Sequence, residues 1–247
     1  MQEIIIEKKL GIKPDYQHKA IRSKNFLQAN WHKNKLHAIK ILCNLNKKSR
    51  VLDLGTGSGN FELEFADKVL EIHGVDYNDE AISFLDSKLK EYNIKNVKLT
   101  VKDLKKINEL NDLGKFDLII MIDVIEHLPI NESEKLIKSF SKFLKPQGQV
   151  FIVTPNYHSL WIIIEKILDH ISILPKFDGE QHLSKFYKEN LNNYFEENGY
   201  TTECFTTINT FSYFSPTSWL RGKLLQLEIN LESTYGNLAC GLYKLKR

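Results

Sequence analysis

The chain has 247 residues, 42% of them hydrophobic, with 34 basic against 31 acidic side chains and a formal charge of +3. That length suits one large α/β domain with insertions or two small ones, and the near-balanced charge argues against a dedicated nucleic-acid surface. Three cysteines (Cys43, Cys204 and Cys240), odd in number and not closely paired, fit reduced thiols in a cytoplasmic protein. The apolar run after Met1 is too short for a signal peptide, and no stretch reaches the roughly 18 apolar residues of a membrane span.

Residues 1–48 read as helical and polar, with Phe26, Leu27, Trp31, Leu36, Ile39, Leu42 and Leu45 at mixed three- and four-residue spacing. From Val51 the pattern becomes that of a doubly wound parallel sheet. Strands are expected at 51–54, 72–76, 97–101, 116–122 and 149–154, and helices between them at about 58–68, 79–92, 104–110 and 132–143. The nearly continuous apolar run Phe116-Asp-Leu-Ile-Ile-Met-Ile is a central strand covered on both faces. Pro146-Gln-Gly-Gln supplies a turn before the fifth strand. Beyond Thr154 come an apolar helix at 157–175, a second at 186–197 and a strand at about 200–207. An irregular aromatic-rich stretch then runs to 236, before a closing strand near Leu238–Leu245. One domain is the economical reading: a helical segment at 1–48, a cofactor-binding core at 49–156 and a substrate-side elaboration at 157–236.

The most informative stretch is Val51-Leu-Asp-Leu-Gly-Thr-Gly-Ser-Gly-Asn60, with Asp76 at the end of the next apolar run. A strand, a glycine loop and a downstream acid are the parts that hold a ribose-bearing cofactor over a sheet edge. The spacing Gly55-x-Gly57-x-Gly59 is not the dinucleotide pattern, Glu62 suits a pyrophosphate poorly, and no Gly-Lys-Ser/Thr follows. The loop suits a cofactor with a ribose and no phosphate.

These residues closely resemble the first motif of the class I S-adenosylmethionine-dependent methyltransferases. The likeness continues through Val75-Asp76-Tyr77, Val101-Lys-Asp103-Leu104 and Phe116 to Leu128, then Leu144 to Asn156 and Gln181-His182, covering roughly residues 35–205. The fourth-strand segment, with its Ile-Asp-Val-Ile-Glu126-His127, is similar to that of quinone and other small-molecule O-methyltransferases. The resemblance implies a Rossmann-like, seven-stranded α/β sheet with its last strand antiparallel and helical substrate-side insertions. It implies S-adenosyl-L-methionine as methyl donor. Gly55 and Gly57 would pass along the methionine part, Asp53 would anchor the loop, and Asp76 would hold the ribose. Tyr77 would lie against the adenine, Asp103 and the Leu104 N–H would meet its edge, and Ile122 would meet the amino group. Lys35, with His32 a turn away, would pair with the carboxylate.

Glu126 and His127 lie just past the fourth strand, where ligands bind in open α/β sheets. Three roles stay open. His127 removes a proton from an acceptor hydroxyl; or Asp123, Glu126 and His127 hold a divalent cation; or Glu126 and His127 organise the loop. His182 is a second candidate base. The helix expected from Leu160 to Leu174 either caps the pocket or lies on a membrane, so peripheral contact through 158–174 is an option. The expected acceptor is a small molecule or lipid-like compound methylated at oxygen. A non-catalytic cofactor-binding subunit and another transferase on the same fold are the rivals.

Overall fold

In a computed structural model of the chain, residues 13–110, 113–159 and 182–246 are described. Two helices come first, α1 (Tyr16–Ala20) and α2 (Phe26–Leu42), the latter started by Asn25, whose Oδ1 accepts from Leu27 N at 3.0 Å. The alternating core follows as β1 (Arg50–Leu54), α3 (Asn60–Phe65), β2 (Glu71–Asp76), α4 (Asp79–Glu91), β3 (Val97–Val101), β4 (Phe116–Ile122) and α5 (Ile130–Ser139). It is completed by β5 (Leu144–Pro155), α6 (Lys188–Glu197), β6 (Tyr200–Ile208), α7 (Ser218–Asn230) and β7 (Leu238–Leu245).

The strands form one seven-stranded sheet in the order β3-β2-β1-β4-β5-β7-β6. The strands β1 to β5 pair in parallel, and β7 runs antiparallel to both β5 and β6, as the resemblance implied. Apolar residues of the central strands alternate between two cores. Leu118 and Ile120 of β4 join Leu36 and Ile39 of α2 and Leu225 and Ile229 of α7 on one face. Ile119 and Met121 join Leu136 of α5 and Leu191 and Phe195 of α6 on the other. Strand order reverses between β1 and β4, so the crevice for a ligand opens where their carboxyl ends part.

The expected strands are present, and three features differ from the sequence reading. Segment 104–110 is a 3-10 helix (Leu104–Glu109), kinked at Lys106, whose φ of −111° and ψ of 18° interrupt helical geometry. The turn at Pro146 is instead a bulge within β5: Phe116 pairs with Leu144, but Leu118 pairs with Gln149. The stretch to 236 is not irregular throughout, because it contains a 3-10 turn (Ser212–Phe214) and all of α7. α7 was illegible because its apolar residues follow no single stripe and Gly222 interrupts it; the glycine is there for close approach, since a Cβ would sit 3.2 Å from His37 Cε1. Most of the helix expected at 157–175, and of the membrane contact at 158–174, lies outside the described residues. Among the described residues no helix is long and apolar enough to cross a membrane.

Candidate active site

The glycine loop leaves β1 in the left-handed region, with φ of +85° at Gly55 and +77° at Gly59. A side chain is excluded at both. A Cβ on Gly55 would lie 2.2 Å from Val124 Cγ2, and one on Gly59 would lie 2.1 Å from Leu85 Cδ1. The loop is tied to β2 by Gly55 N donating to Val75 O at 2.8 Å and Gly57 N donating to Asp76 Oδ2 at 2.7 Å. The other Asp76 oxygen accepts from Asn78 N at 2.8 Å, and Asn78 caps α4. Asp76 therefore shapes the loop as well as standing where a ribose acceptor is expected. The two jobs are compatible, because each carboxylate oxygen accepts more than one hydrogen bond.

A cleft opens beside this loop at the sheet's switch point, lined among others by Lys35, Asp53, Gly55, Thr56, Ile122 and Asp123. Asp123 turns the chain out of β4 at φ +55°. Its carboxylate takes the Nζ of Lys35, a buried ammonium delivered by α2. Beside Lys35 sits His32, pushed down to about 3 by loss of solvent and by that ammonium. Asp53 is buried with Glu62 of α3 next to it; burial pushes Asp53 up to about 7 and Glu62 well above its ordinary 4.5.

The cleft thus gathers Lys35, Asp53, Gly55 and Ile122 from the residues expected to hold the cofactor. Gly57 and Asp76 flank it through their mutual hydrogen bond. Tyr77, partly exposed, follows β2. Asp103 and Leu104 are not among the cleft's walls. Asp103 caps the 3-10 helix by accepting from Lys105 N at 2.9 Å, and the Leu104 side chain is buried in the core.

Beyond Asp123, the candidate catalytic residues are brought together. Tyr157 N donates to Phe186 O at 2.9 Å and Ser184 N donates to Glu126 O at 3.0 Å, which lays the segment after His182 along the end of β5. His182 then meets His127 with ring centroids 5.1 Å apart. Its Nδ1 is 2.5 Å from Tyr157 Oη. Glu126 is buried, accepts from Thr154 Oγ1 at 2.9 Å, and is pushed up to about 7 by burial and the nearby Asp123 charge. Burial and His127 push His182 down to about 4. Of the three roles left open, the divalent-cation option named Asp123, Glu126 and His127, and the structure groups different residues. Asp123 is taken by Lys35, and the ligand atoms that lie within 4.8 Å of one another belong to Glu126, His127 and His182.

Two participants had no signal in the sequence. Gln17 of α1 lies over the loop, where a Cβ on Gly57 would be 2.6 Å from its Oε1, and Asn60 Nδ2 donates to Gln17 O at 3.0 Å. Tyr157 follows a Thr-Pro-Asn whose place beside His182 depends on a contact 25 residues away in sequence.

This sheet order with a glycine loop after β1 defines a methyltransferase-type α/β protein. Two solved structures have the same fold: PH0226 protein from Pyrococcus horikoshii OT3 (TM-score 0.64, 19% identity, 97% of this chain and 99% of that one) and a magnesium protoporphyrin IX methyltransferase from Synechocystis PCC 6803 with bound SAH (TM-score 0.63, 15% identity, 98% of each). Among curated relatives, a ubiquinone biosynthesis O-methyltransferase of Glaesserella parasuis is 32% identical over 146 residues, 56% of this chain and 59% of that protein. The phosphoethanolamine N-methyltransferase 2 of Caenorhabditis elegans is 29% identical over 129 residues, 52% of this chain and 29% of that protein. The human EEF1A lysine methyltransferase 2 is 35% identical over 114 residues, 43% of this chain and 48% of that protein. The chain spans less than two thirds of the length of each of these three. Residues 24–204 match the family described as "Methyltransferase domain", and the chain belongs to it, as a class I S-adenosylmethionine-dependent methyltransferase.

Proposed function

We propose that this chain methylates a small-molecule or lipid-like acceptor at oxygen, with His127 as the base that takes the acceptor's proton. The observation that carries the reading is the convergence of Glu126, His127 and His182 beyond Asp123, next to a cleft whose walls suit the methyl donor. The cleft fits that donor chemically. It offers a backbone approach at Gly55, a buried ammonium at Lys35 for a carboxylate, and acids at Asp53 and Asp76 for an amino group and ribose hydroxyls. When bound, the cofactor supplies an electrophilic methyl group on a sulfonium.

The chain's residues contribute alignment and proton removal. His182, held near 4, is neutral at neutral pH and a weak base, so it positions the acceptor side while His127 accepts the proton. Tyr157 at His182 Nδ1 fixes that ring's orientation. A relative that methylates a quinone-pathway oxygen supports the acceptor atom; relatives named for amine and lysine methylation make nitrogen the competing choice.

The test is a screen of quinol, phenol, fatty-acid, sugar and amine acceptors with labelled methyl donor, using wild type and His127→Ala. Transfer to a hydroxyl, lowered about a hundredfold in kcat by the substitution, is expected. Transfer to amines alone, or a variant of unchanged rate, refutes it. A second reading has Glu126, His127 and His182 holding a divalent cation that lowers the hydroxyl's pKa. Loss of activity in chelator with recovery on magnesium favours it over His127 acting as base.

A further inference from the structure

Glu62 lies in the first turn of α3, three residues past Gly59, and nothing of it reaches solvent. No N–H or O–H group of the described residues donates to either of its oxygens. One oxygen is turned toward β2, where a Cβ on Gly74 would approach it to 3.0 Å, so glycine there makes room for the carboxyl. Gly74 is the register partner of Asp53 across the β1–β2 pair, so the Glu62 carboxyl stands beside Asp53, the buried acid that faces the cleft. Two carboxylates side by side in a dry site do not both keep a charge unless a cation stands between them. The cleft's buried cation, Lys35, is paired with Asp123 instead.

We propose that Glu62 is a positioning residue, kept as a neutral carboxylic acid whose O–H donates to Asp53, so that Asp53 alone carries the negative charge that meets the cofactor's cationic groups. The inference rests on the cofactor reading above. The arrangement explains why a buried glutamate sits directly under a binding loop. Replaced by an apolar residue, it would leave Asp53 without a donor on the side away from the cleft, and burial would drive that acid neutral. Burial pushes Asp53 up to about 7, the neighbouring Glu62 works against that rise, and the charge of Asp76 adds to it. The other titratable groups around the pair are Asp76 at the end of β2, whose charge acts on both acids, and, on the cleft side of Asp53, His32 and Lys35 from α2 and Asp123 after β4. Gly74 and Thr56 add no charge.

The experiment measures S-adenosylhomocysteine binding by calorimetry from about pH 6 to about pH 8.5 for wild type, Glu62→Gln and Glu62→Leu. Wild-type affinity is expected to rise with pH through about 7, where Asp53 ionises. Glutamine keeps a donor and should leave that midpoint in place. Leucine removes it and should move the midpoint up by about one unit, which weakens binding roughly tenfold at neutral pH. If Glu62 carried a charge in wild type, the glutamine variant would move the midpoint down; that result, or identical behaviour of glutamine and leucine, overturns the proposal. An infrared difference spectrum reads the protonated state without any ligand. A carboxylic-acid carbonyl band present in wild type at neutral pH and missing in Glu62→Gln is expected, and its absence from wild type overturns the assignment. Wild type that shows the band yet binds no S-adenosylhomocysteine at any pH refutes the cofactor reading and leaves the protonated Glu62 standing.

Discussion

Asp76→Asn should separate the two jobs of the acid at the end of β2. In the structure one carboxylate oxygen accepts from Gly57 N at 2.7 Å and the other from Asn78 N at 2.8 Å, with the residue only 6% exposed. An amide can replace one of those acceptors; its NH2 then faces the second N–H donor to donor. A buried N–H left unpaired costs about 1–3 kcal/mol, so urea unfolding without ligand should show a loss of that size. Asp76→Ala strands both N–H groups, and its loss should be about double. The cofactor effect is separate. A hydrogen bond from a ribose hydroxyl to a charged acceptor is worth about 1.5–3 kcal/mol, so losing one weakens binding roughly ten- to a hundredfold. Calorimetry with S-adenosylhomocysteine on the folded asparagine variant measures it. Affinity within about threefold of wild type, whatever happens to stability, would refute the ribose role and leave Asp76 as a loop anchor only.

Three further outcomes follow from the geometry. Glu62 is raised well above its ordinary 4.5, so the stability it confers is present at low pH and lost as pH rises above that value. Urea titrations at several pH values should show wild type losing stability relative to Glu62→Gln as pH rises above 4.5, with a slope of at most about 1.4 kcal/mol per pH unit, and parallel curves refute this. Gly59→Ala puts a methyl 2.1 Å from Leu85 Cδ1 at φ +77°, and thermal or urea unfolding should reveal a loss of about 2–4 kcal/mol. Glu228→Ala removes an acceptor shared by the backbone N–H groups of Asn209, Phe211 and Ser212 and the Ser212 hydroxyl. About 3 kcal/mol or more of stability should go with it, and a loss under about 1 kcal/mol would mean water replaces the carboxylate.

The glycine loop and the cleft beside it were legible because their signal is local. Gly55 and Gly57 stand within a few residues of Asp53, and Asp76 ends the strand that pairs with β1, so one strand–loop–helix unit and its neighbour carry the whole signal. Lys35 was found only by counting back from β1, and it reached the cleft because α2 is continuous and in phase up to Leu42. The sheet's seven strands were readable from alternation and from buried runs such as β4. What failed had long-range causes. The partnership of Asp123 with Lys35 spans 88 residues, so spacing alone could not show that Asp123 is taken up outside the cation option that named it. The role of Glu62 was read only as an argument against pyrophosphate, since its partner Asp53 precedes it across the loop. α7 escaped because its helical phase is set by packing on α2 and β6, with only Leu225, Glu228 and Ile229 buried.

That packing reaches the cleft. The segment between β6 and β7 is bound to α2 by buried polar contacts as well as by apolar ones. Asn30 Nδ2 donates to Tyr213 O at 3.1 Å and Ser215 O at 2.7 Å, and Asn34 Nδ2 donates to Asn209 Oδ1 at 2.7 Å and Ser212 Oγ at 2.9 Å. Glu228 of α7 gathers the same loop from beneath. Asn34 is adjacent to Lys35, so the segment between β6 and β7 also fixes the helix turn that delivers a buried cation to the cleft. Buried hydrogen bonds of this kind are costly to leave unmade, which makes the contact specific in register as well as adhesive. A change in that segment that lets α2 rotate would therefore be felt first at the Lys35–Asp123 ion pair, where the proposed function puts donor binding.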